Sequence, residues 1–260
     1  MLNKLSLTAT VYLASDIHLG PSIPRTNQVF YQFLKQAALQ ADSLILVGDI
    51  FNYWIGDDIA IQHPEPWLVE AIAHLQAFSA KKPLYLVRGN RDFLMGHDFA
   101  KLIGATLLDD QILLEVDHQL IHLSHGDELC TNDKSYMLFR AWTRQAWLQR
   151  LFFQLPMSWR IYIANNARRK SKEKQAAPSY DDTKGDVVPS TVAAVFKRYP
   201  KLNGMIHGHT HKPKKHALEI NGKSYWRLVL PDWELDQEHP RSGYAILTKD
   251  GVQLISDSPN

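Results

Sequence analysis

Cysteine is almost absent from this chain: Cys130 is the single one in 260 residues. No disulfide can form within it, and such usage fits a reducing compartment. Cys130 itself reads as a small, half-buried residue. No apolar run approaches the ~20 residues that a membrane span needs, and the opening Met1-Leu2-Asn3-Lys4-Leu5-Ser6 lacks the apolar core of a signal peptide. The expectation is therefore a cytoplasmic protein that lies at most on a membrane face. Internal repeats and low-complexity tracts are also missing, which removes solenoids and linker-rich architectures. Nor does either charge dominate, since 29 Lys and Arg face 27 Asp and Glu for a net +2. That balance alone does not mark a nucleic-acid binder.

What is present is enough apolar material, 45% of residues, for one α/β domain spanning 1–260 with a sizeable core and room for an insertion. The charge, though balanced overall, is unevenly placed. Between Lys134 and Lys174 there are ten Lys or Arg and a single acid, Glu173, so this segment carries +9 and the remainder −7.

The chain is organised around Asp49, which closes the run Ser43-Leu44-Ile45-Leu46-Val47-Gly48-Asp49. Four apolar residues ended by a glycine and an acid read as a buried strand that delivers a carboxylate to its C-terminal edge, where open α/β sheets place ligands. A single strand-end Asp usually closes a turn. Here it has company: Asp16 and His18 in Ser15-Asp16-Ile17-His18-Leu19-Gly20, Asn90 in Arg88-Gly89-Asn90-Arg91-Asp92, His125 in Ser124-His125-Gly126-Asp127-Glu128, and His207 and His209 in Ile206-His207-Gly208-His209-Thr210-His211. Five strand-to-loop junctions thus present metal-ligand residue types, four of them beside a glycine that permits an unusual turn or close backbone approach. In extended chain, Asp16 and His18 would point the same way and Ile17 into the core.

Along the chain, Val11 to Ala14 reads as the first strand and Thr26 to Gln40 as an amphipathic helix capped by Thr26 or Asn27. Ile50 to Asp58 is an aromatic loop in which Tyr53 and Trp54 either pack locally or wall a pocket. A helix follows from Pro66 to Phe78, then a strand from Leu84 to Val87. Asp92 is expected to orient a ligand, and Gly126-Asp127-Glu128 to fix the second nitrogen of His125. Ile112 to Val116 and Leu120 to Ser124 form a hairpin turning at Asp117-His118. A helix from about Ser190 to Arg198 leads to a strand at Gly204 to Ile206, and Tyr225 to Leu230, Tyr244 to Thr248 and Val252 to Ile255 are read as strands completing a second sheet.

Residues of about 131–178 break this rhythm. They read as two helices separated near Pro156, rich in Trp142, Trp147, Trp159, Phe152 and Phe153 with arginines interleaved. One reading is a helical hairpin that packs its aromatics and solvates its charges. The other is a lid that offers apolar and cationic surface together, suited to a phosphate-bearing lipid, an anionic membrane face or single-stranded nucleic acid.

The ordered set Asp-x-His, Gly-Asp, Gly-Asn, Ser-His-Gly and His-Gly-His, spanning residues 16 to 209, resembles the calcineurin-like metallophosphoesterases. The wording around it, Gly-Asp-Ile-Phe-Asn-Tyr-Trp-Ile-Gly-Asp-Asp, Arg-Gly-Asn-Arg-Asp-Phe-Leu-Met-Gly and His-Gly-His-Thr-His-Lys-Pro, resembles the UDP-2,3-diacylglucosamine pyrophosphatase family. The resemblance implies an α/β two-sheet sandwich flanked by helices, with an inserted helical lid. It implies one ion on Asp16, His18, Asp49 and His209, and a second on Asp49, Asn90, His125 and His207, with Asp49 bridging. It further implies manganese as the metal, although oxygen and imidazole donors alone would also accept iron, zinc or cobalt. Asn90, Arg91, Asp133, Ser171 and His207 match substrate-contact positions. Where the family shows Asn and then Lys, this chain has Gln175 and Pro178.

Two divalent ions outweigh two carboxylates and one hydroxide, so such a centre stays positive, lowers the pKa of bound water and attracts phosphate without a serine or cysteine nucleophile. Arg91 stands where the wider superfamily commonly has a histidine that protonates the leaving oxygen. A guanidinium cannot be that acid, but it grips phosphate oxygens in bidentate fashion. The leaving group should then need little protonation, as a phosphate leaving a pyrophosphate does. The family implies hydrolysis of UDP-2,3-diacylglucosamine to UMP and 2,3-diacylglucosamine 1-phosphate (lipid X) in lipid A synthesis, on the cytoplasmic face of a bacterial inner membrane, with no nucleic-acid or protein partner. Another dimetal phosphoesterase, a nuclease or phosphatase, is the alternative. A non-catalytic module on the same fold is disfavoured by the complete ligand set.

Overall fold

In the computed structural model, which describes residues 2–8, 10–62, 64–176 and 185–256, two six-stranded sheets lie face to face. The first has the order β1 (Lys4–Leu7), β6 (Gln111–Val116), β7 (Gln119–Ser124), β8 (Gly204–His207), β10 (Lys223–Val229), β9 (Lys214–Ile220). The second runs β12 (Gly251–Ser256), β11 (Gly243–Thr248), β2 (Val11–Ala14), β3 (Ser43–Val47), β4 (Leu84–Val87), β5 (Thr106–Leu107). β2 to β5 are parallel, as are β7, β8 and β10, so their C-terminal ends gather on one edge.

Strand alternation explains the layers. Val11, Leu13, Ile45, Val47 and Val87 of the second sheet pack against Ile112, Leu114, Ile121, Leu123 and Ile206 of the first in the central core. Their neighbours Tyr12, Ala14, Leu44, Leu46 and Leu86 face outward, beneath Phe30, Phe33 and Leu34 of α1 (Pro24–Gln40), Leu68, Ile72 and Leu75 of α3 (Pro66–Ser79) and Phe99 of α4 (His97–Leu102). On the far side, Val192 and Phe196 of α8 (Pro189–Arg198) cover Met205 and Tyr225. Burial on both faces is why the central strands read as unbroken apolar runs.

The structure corrects several expectations. The strands after residue 214 do not complete one sheet: β9 and β10 join the first, β11 and β12 the second. β1, β5 and β9 were not anticipated, because β1 and β9 alternate exposed and half-buried residues and β5 has only two residues. Helix α1 starts at Pro24, and Thr26 serves not as its cap but as a donor to Asp236 through both its amide and its hydroxyl. Trp54 is core, in contact distance of Phe51 and Phe99. Cys130 is fully buried rather than half-buried.

The inserted segment forms three helices, α5 (Lys134–Thr143), α6 (Ala146–Phe153) and α7 (Met157–Ala176), with an unforeseen break at Arg144 and Gln145. Helix α2 is likewise short, the four residues Asp58–Ile61. The insertion is inside out relative to an ordinary amphipathic hairpin. Leu138, Phe139, Trp142, Trp147, Trp159 and Tyr162 are all exposed, Tyr162 by 66%. Three of its arginines turn inward: Arg140 pairs with Asp127, Arg144 with Asp110, and Arg160, only 4% exposed, with Asp58 and the Ile55 carbonyl, while Arg150 and Arg169 stay exposed. Part of its charge is thus tied to the body and part solvated, while most of its aromatics face outward instead of packing on one another. Among the described residues no helix is long and apolar enough to cross a membrane.

One core group makes the fold acid-sensitive. His122 on β7 is buried with Nδ1 unpartnered, and burial depresses its pKa to about 4. A depressed histidine stabilises the fold above its unfolded pKa near 6.5 and loses that contribution as pH falls toward 4, a swing of about 3 kcal/mol. His122→Leu should flatten this step. Urea unfolding at pH 7 and pH 4.5, wild type against variant, measures it; identical pH dependence would remove His122 as the cause.

Candidate metal centre

The site lies where the strand ends of both sheets meet. Asp16 follows β2, Asp49 follows β3, Asn90 follows β4, His125 follows β7, and His207 ends β8 with His209 beyond it. The loops are stitched across strands: the Asp16 amide donates to the Gly48 carbonyl at 3.1 Å and the His18 amide to the Asp49 carbonyl at 3.0 Å. This path is not extended. Asp16, His18, Asp49, His209 and His211 all have positive φ, between 52° and 69°, so the two side chains of Asp16-x-His18 converge by left-handed turns and not by strand alternation. Such strain persists only where tertiary bonds enforce it.

Close approach is set by glycine. A methyl group at Gly89 would overlap the Asp49 carboxylate, and one at Gly208 would overlap the Asp16 carboxylate and Ser15. Each loop therefore leaves room for the acid of its neighbour.

The donors converge. His18 Nε2 lies 3.4 Å from Asp49 Oδ2, and His125 Nε2 lies 3.6 Å from Asp49 Oδ1. The Asn90 Oδ1 atom takes contacts from His125 Nε2 at 3.0 Å and His209 Nδ1 at 2.8 Å. The His209 amide donates to Asp16 Oδ2 at 3.0 Å. Two sets have donor atoms all within 4.8 Å of one another: Asp16, Asp49 and His125, and Asp16, His18 and His211. Asp16 Oδ1 is buried with no hydrogen bond, facing His211 Nε2 at 3.3 Å in an ion pair. A buried, under-satisfied carboxylate oxygen among imidazoles is what a divalent cation needs. The donor set fits divalent cations.

Electrostatics follow. Burial opposes ionisation of Asp49, yet His125, the His18 bond and Arg91 hold its pKa down at about 2. Asp16 is held well below the usual range against the same burial, by His125 and His211. Burial likewise opposes a charge on His125, but Asp49, Asp16 and Asp127 lift it to about 9, so protons occupy this imidazole until a cation displaces them. Burial keeps His209 neutral, near 4, and His207 neutral, near 3.

Outer contacts differ from the sequence reading. His125 Nδ1 is oriented by the Val47 carbonyl at 3.0 Å, not by Asp127 or Glu128. Asp127 instead accepts from Tyr136 Oη at 2.5 Å and Arg140 Nε at 2.7 Å, tying α5 to the loop. Asp92 orients backbone and not a side chain, accepting from Gly89 and Ile50 amides at 2.7 Å each. Burial and the nearby Asp49 carboxylate raise its pKa to about 6.

Residues 9–213 match the calcineurin-like phosphoesterase family. A relative from Bordetella parapertussis, named UDP-2,3-diacylglucosamine hydrolase, is 42% identical over 98% of this chain and 97% of its own. Relatives of the same name from Ralstonia nicotianae and Klebsiella pneumoniae are 39% and 38% identical, each over 95% of this chain and over 91% and 98% of their own. The chain belongs to the UDP-2,3-diacylglucosamine hydrolase family of calcineurin-like phosphoesterases.

In this member of the UDP-2,3-diacylglucosamine hydrolase family, the remaining residues singled out from sequence fall around the centre. The Arg91 amide donates to Asp49 Oδ1 at 2.8 Å, and its guanidinium reaches Asp49 Oδ2 at 3.4 Å and Asn52 Oδ1 at 3.0 Å. Asp133 caps α5, accepting from the Tyr136 amide at 3.0 Å. Ser171 and Gln175 lie on α7, and Pro178 lies outside the described residues.

Four participants had not been singled out. Arg168 of α7 donates to the same Asn52 Oδ1 at 2.7 Å and stacks over Tyr53, bringing a second guanidinium beside Arg91. His211 bridges Asp16 and Asp232, at 3.3 Å and 3.2 Å, and these carboxylates lift it to about 10 against burial. Arg227 donates to His207 Nε2 at 2.9 Å. For His211 a signal existed, since it continues the alternation of His207 and His209; for Asn52, Arg168 and Arg227 none did.

Proposed function

We infer that this protein is a metal-dependent hydrolase that cleaves the pyrophosphate of UDP-2,3-diacylglucosamine to UMP and 2,3-diacylglucosamine 1-phosphate. The observation that carries the reading is identity of 42% to a UDP-2,3-diacylglucosamine hydrolase over 98% of the chain, so the likeness includes the insertion as well as the site. Asp16, His18, Asp49 and His209 would hold one ion and Asp49, Asn90, His125 and His207 the other, with Asp49 shared; manganese is the ion we favour. When bound, two such ions supply a nucleophile from water at neutral pH and neutralise phosphoryl oxygens.

The residues do the rest. Val47 holds the His125 ring and Asp92 the Asp49 loop, so the donors meet the substrate already oriented. Arg91 and Arg168, joined through Asn52, set two permanent cations beside the centre, where the departing phosphate gathers charge. Neither can protonate it, and a phosphate leaving group does not require them to. His211, held between two carboxylates, positions Asp16.

Asp133, Ser171 and Gln175 would contact the glucosamine phosphate from the lid, within a single domain that carries the insertion of about 131–178. The exposed Trp142, Trp147, Trp159 and Tyr162 suit acyl chains and a membrane face. Engagement of Arg140, Arg144 and Arg160 by acids of the body leaves fewer cations to track a nucleic-acid backbone, which favours the lipid substrate over a nuclease role. The test is UMP release from UDP-2,3-diacylglucosamine in mixed micelles or anionic vesicles, with metal-stripped protein, with and without manganese, beside a plain aryl phosphodiester. Metal-dependent turnover preferring the lipid nucleotide is expected. Diester cleavage without lipid-nucleotide turnover would refute the substrate assignment and leave a general phosphoesterase.

A further inference from the structure

A cavity of about 310 Å³ opens beside the metal centre, on the face that β9 and β10 share with His207. In the sheet register His207 lies opposite Val229, Val229 opposite Lys214, and Arg227 opposite His216. His207, Val229 and Lys214 thus form one row across three strands. At ~4.8 Å per strand, the row runs from the centre to Lys214 over roughly 10 Å.

The walls are chemically mixed. Lys212, Lys214 and Arg227 supply cations, Val229 is apolar, and Asp186, bound to Lys212 at 2.9 Å, is the acid. Burial, Arg227 and Lys214 lower the pKa of His216. Thr210 carries a buried hydroxyl without a partner in the protein. Arg227 is the link: its half-buried guanidinium lines the cavity and lies 2.9 Å from His207 Nε2, at the edge of the centre.

We propose that this cavity is the binding site for the nucleoside monophosphate half of the substrate. The proposal rests on the pyrophosphatase reading given above. Arg227 would take the phosphate nearest the centre, Lys212 and Lys214 the carbonyl oxygens of uracil, and Asp186 a ribose hydroxyl. An acceptor among donors suits a nucleoside better than a bare anion. The size is at the low end of small-molecule pockets, which run ~300–1,000 Å³, and the lid serves the other half of the molecule.

The experiment is calorimetric binding of UMP, uridine and inorganic phosphate to the full-length, metal-loaded protein and to Lys214→Glu, an exposed position, and Arg227→Met. UMP affinity should fall about tenfold or more in both variants, as expected for a lost charge-assisted contact. Phosphate binding, which the centre itself can support, should be unchanged in Lys214→Glu. Unchanged UMP affinity in Lys214→Glu would overturn the proposal, and so would equal weakening of UMP and phosphate, which marks general anion attraction only. Wild-type turnover of UDP-2,3-diacylglucosamine is measured alongside. Its absence would refute the substrate reading, while the UMP comparison would still decide the cavity.

Discussion

Asp49→Ala is expected to remove both metal ions at once and to lower turnover by on the order of 10³-fold or more, beyond the 10–100-fold typical of changes behind the ligands. The reason is geometric. Asp49 Oδ2 faces His18 and Asp49 Oδ1 faces His125, so one carboxylate serves both halves of the centre. Without it those imidazoles face each other with less opposing charge, and His125, whose pKa is raised first of all by Asp49, loses its main electrostatic support. Metal content by mass spectrometry and turnover should fall together. A fully metallated, active variant would refute the bridging assignment. Asp49→Asn, which keeps the volume and one oxygen, separates loss of charge from a packing defect.

Arg91→Ala should behave differently, losing roughly 10²-fold in kcat/KM with metal content near normal. Arg91 is about one-third exposed and reaches Asp49 from the rim as one of several groups that hold that carboxylate, so metal content is expected to survive its loss. Its role depends on the flat fork of the guanidinium, so Arg91→Lys should recover only part of the loss. Because Asn52 accepts from both Arg91 and Arg168, the pair acts as a unit, and a double variant should lose less than the two single losses combined. Loss of metal in Arg91→Ala would instead make it a support for Asp49.

Much of this centre was readable before any coordinates. Strands buried on both faces leave apolar runs, and a donor follows each run, beside a glycine in every case but Asp16, so Asp16, Asp49, Asn90, His125 and His207 could be named. The turn shapes could not. Asp16 and His18 adopt positive φ because their amides bond to the loop after β3, and that pairing is absent from any local pattern. The partner of His125 was misjudged for the same reason: Val47 is 78 residues away, whereas Asp127 is two. The insertion deceived in another way. Its composition announced aromatics and arginines, but which face each would take depended on Asp58, Asp110 and Asp127, acids scattered through the body. Edge strands were lost because half-exposed residues carry little period.

The contact between Asp16 and the His209 amide joins positions 193 residues apart. β11, which emerges later still, is the strand that pairs with β2 beneath Asp16. During synthesis, therefore, a chain stalled before about residue 209 has no complete ion site, and the sheet below it is finished only by β11 and β12. The centre can close only once the segment carrying His209 and the β11 strand that supports β2 have both been made.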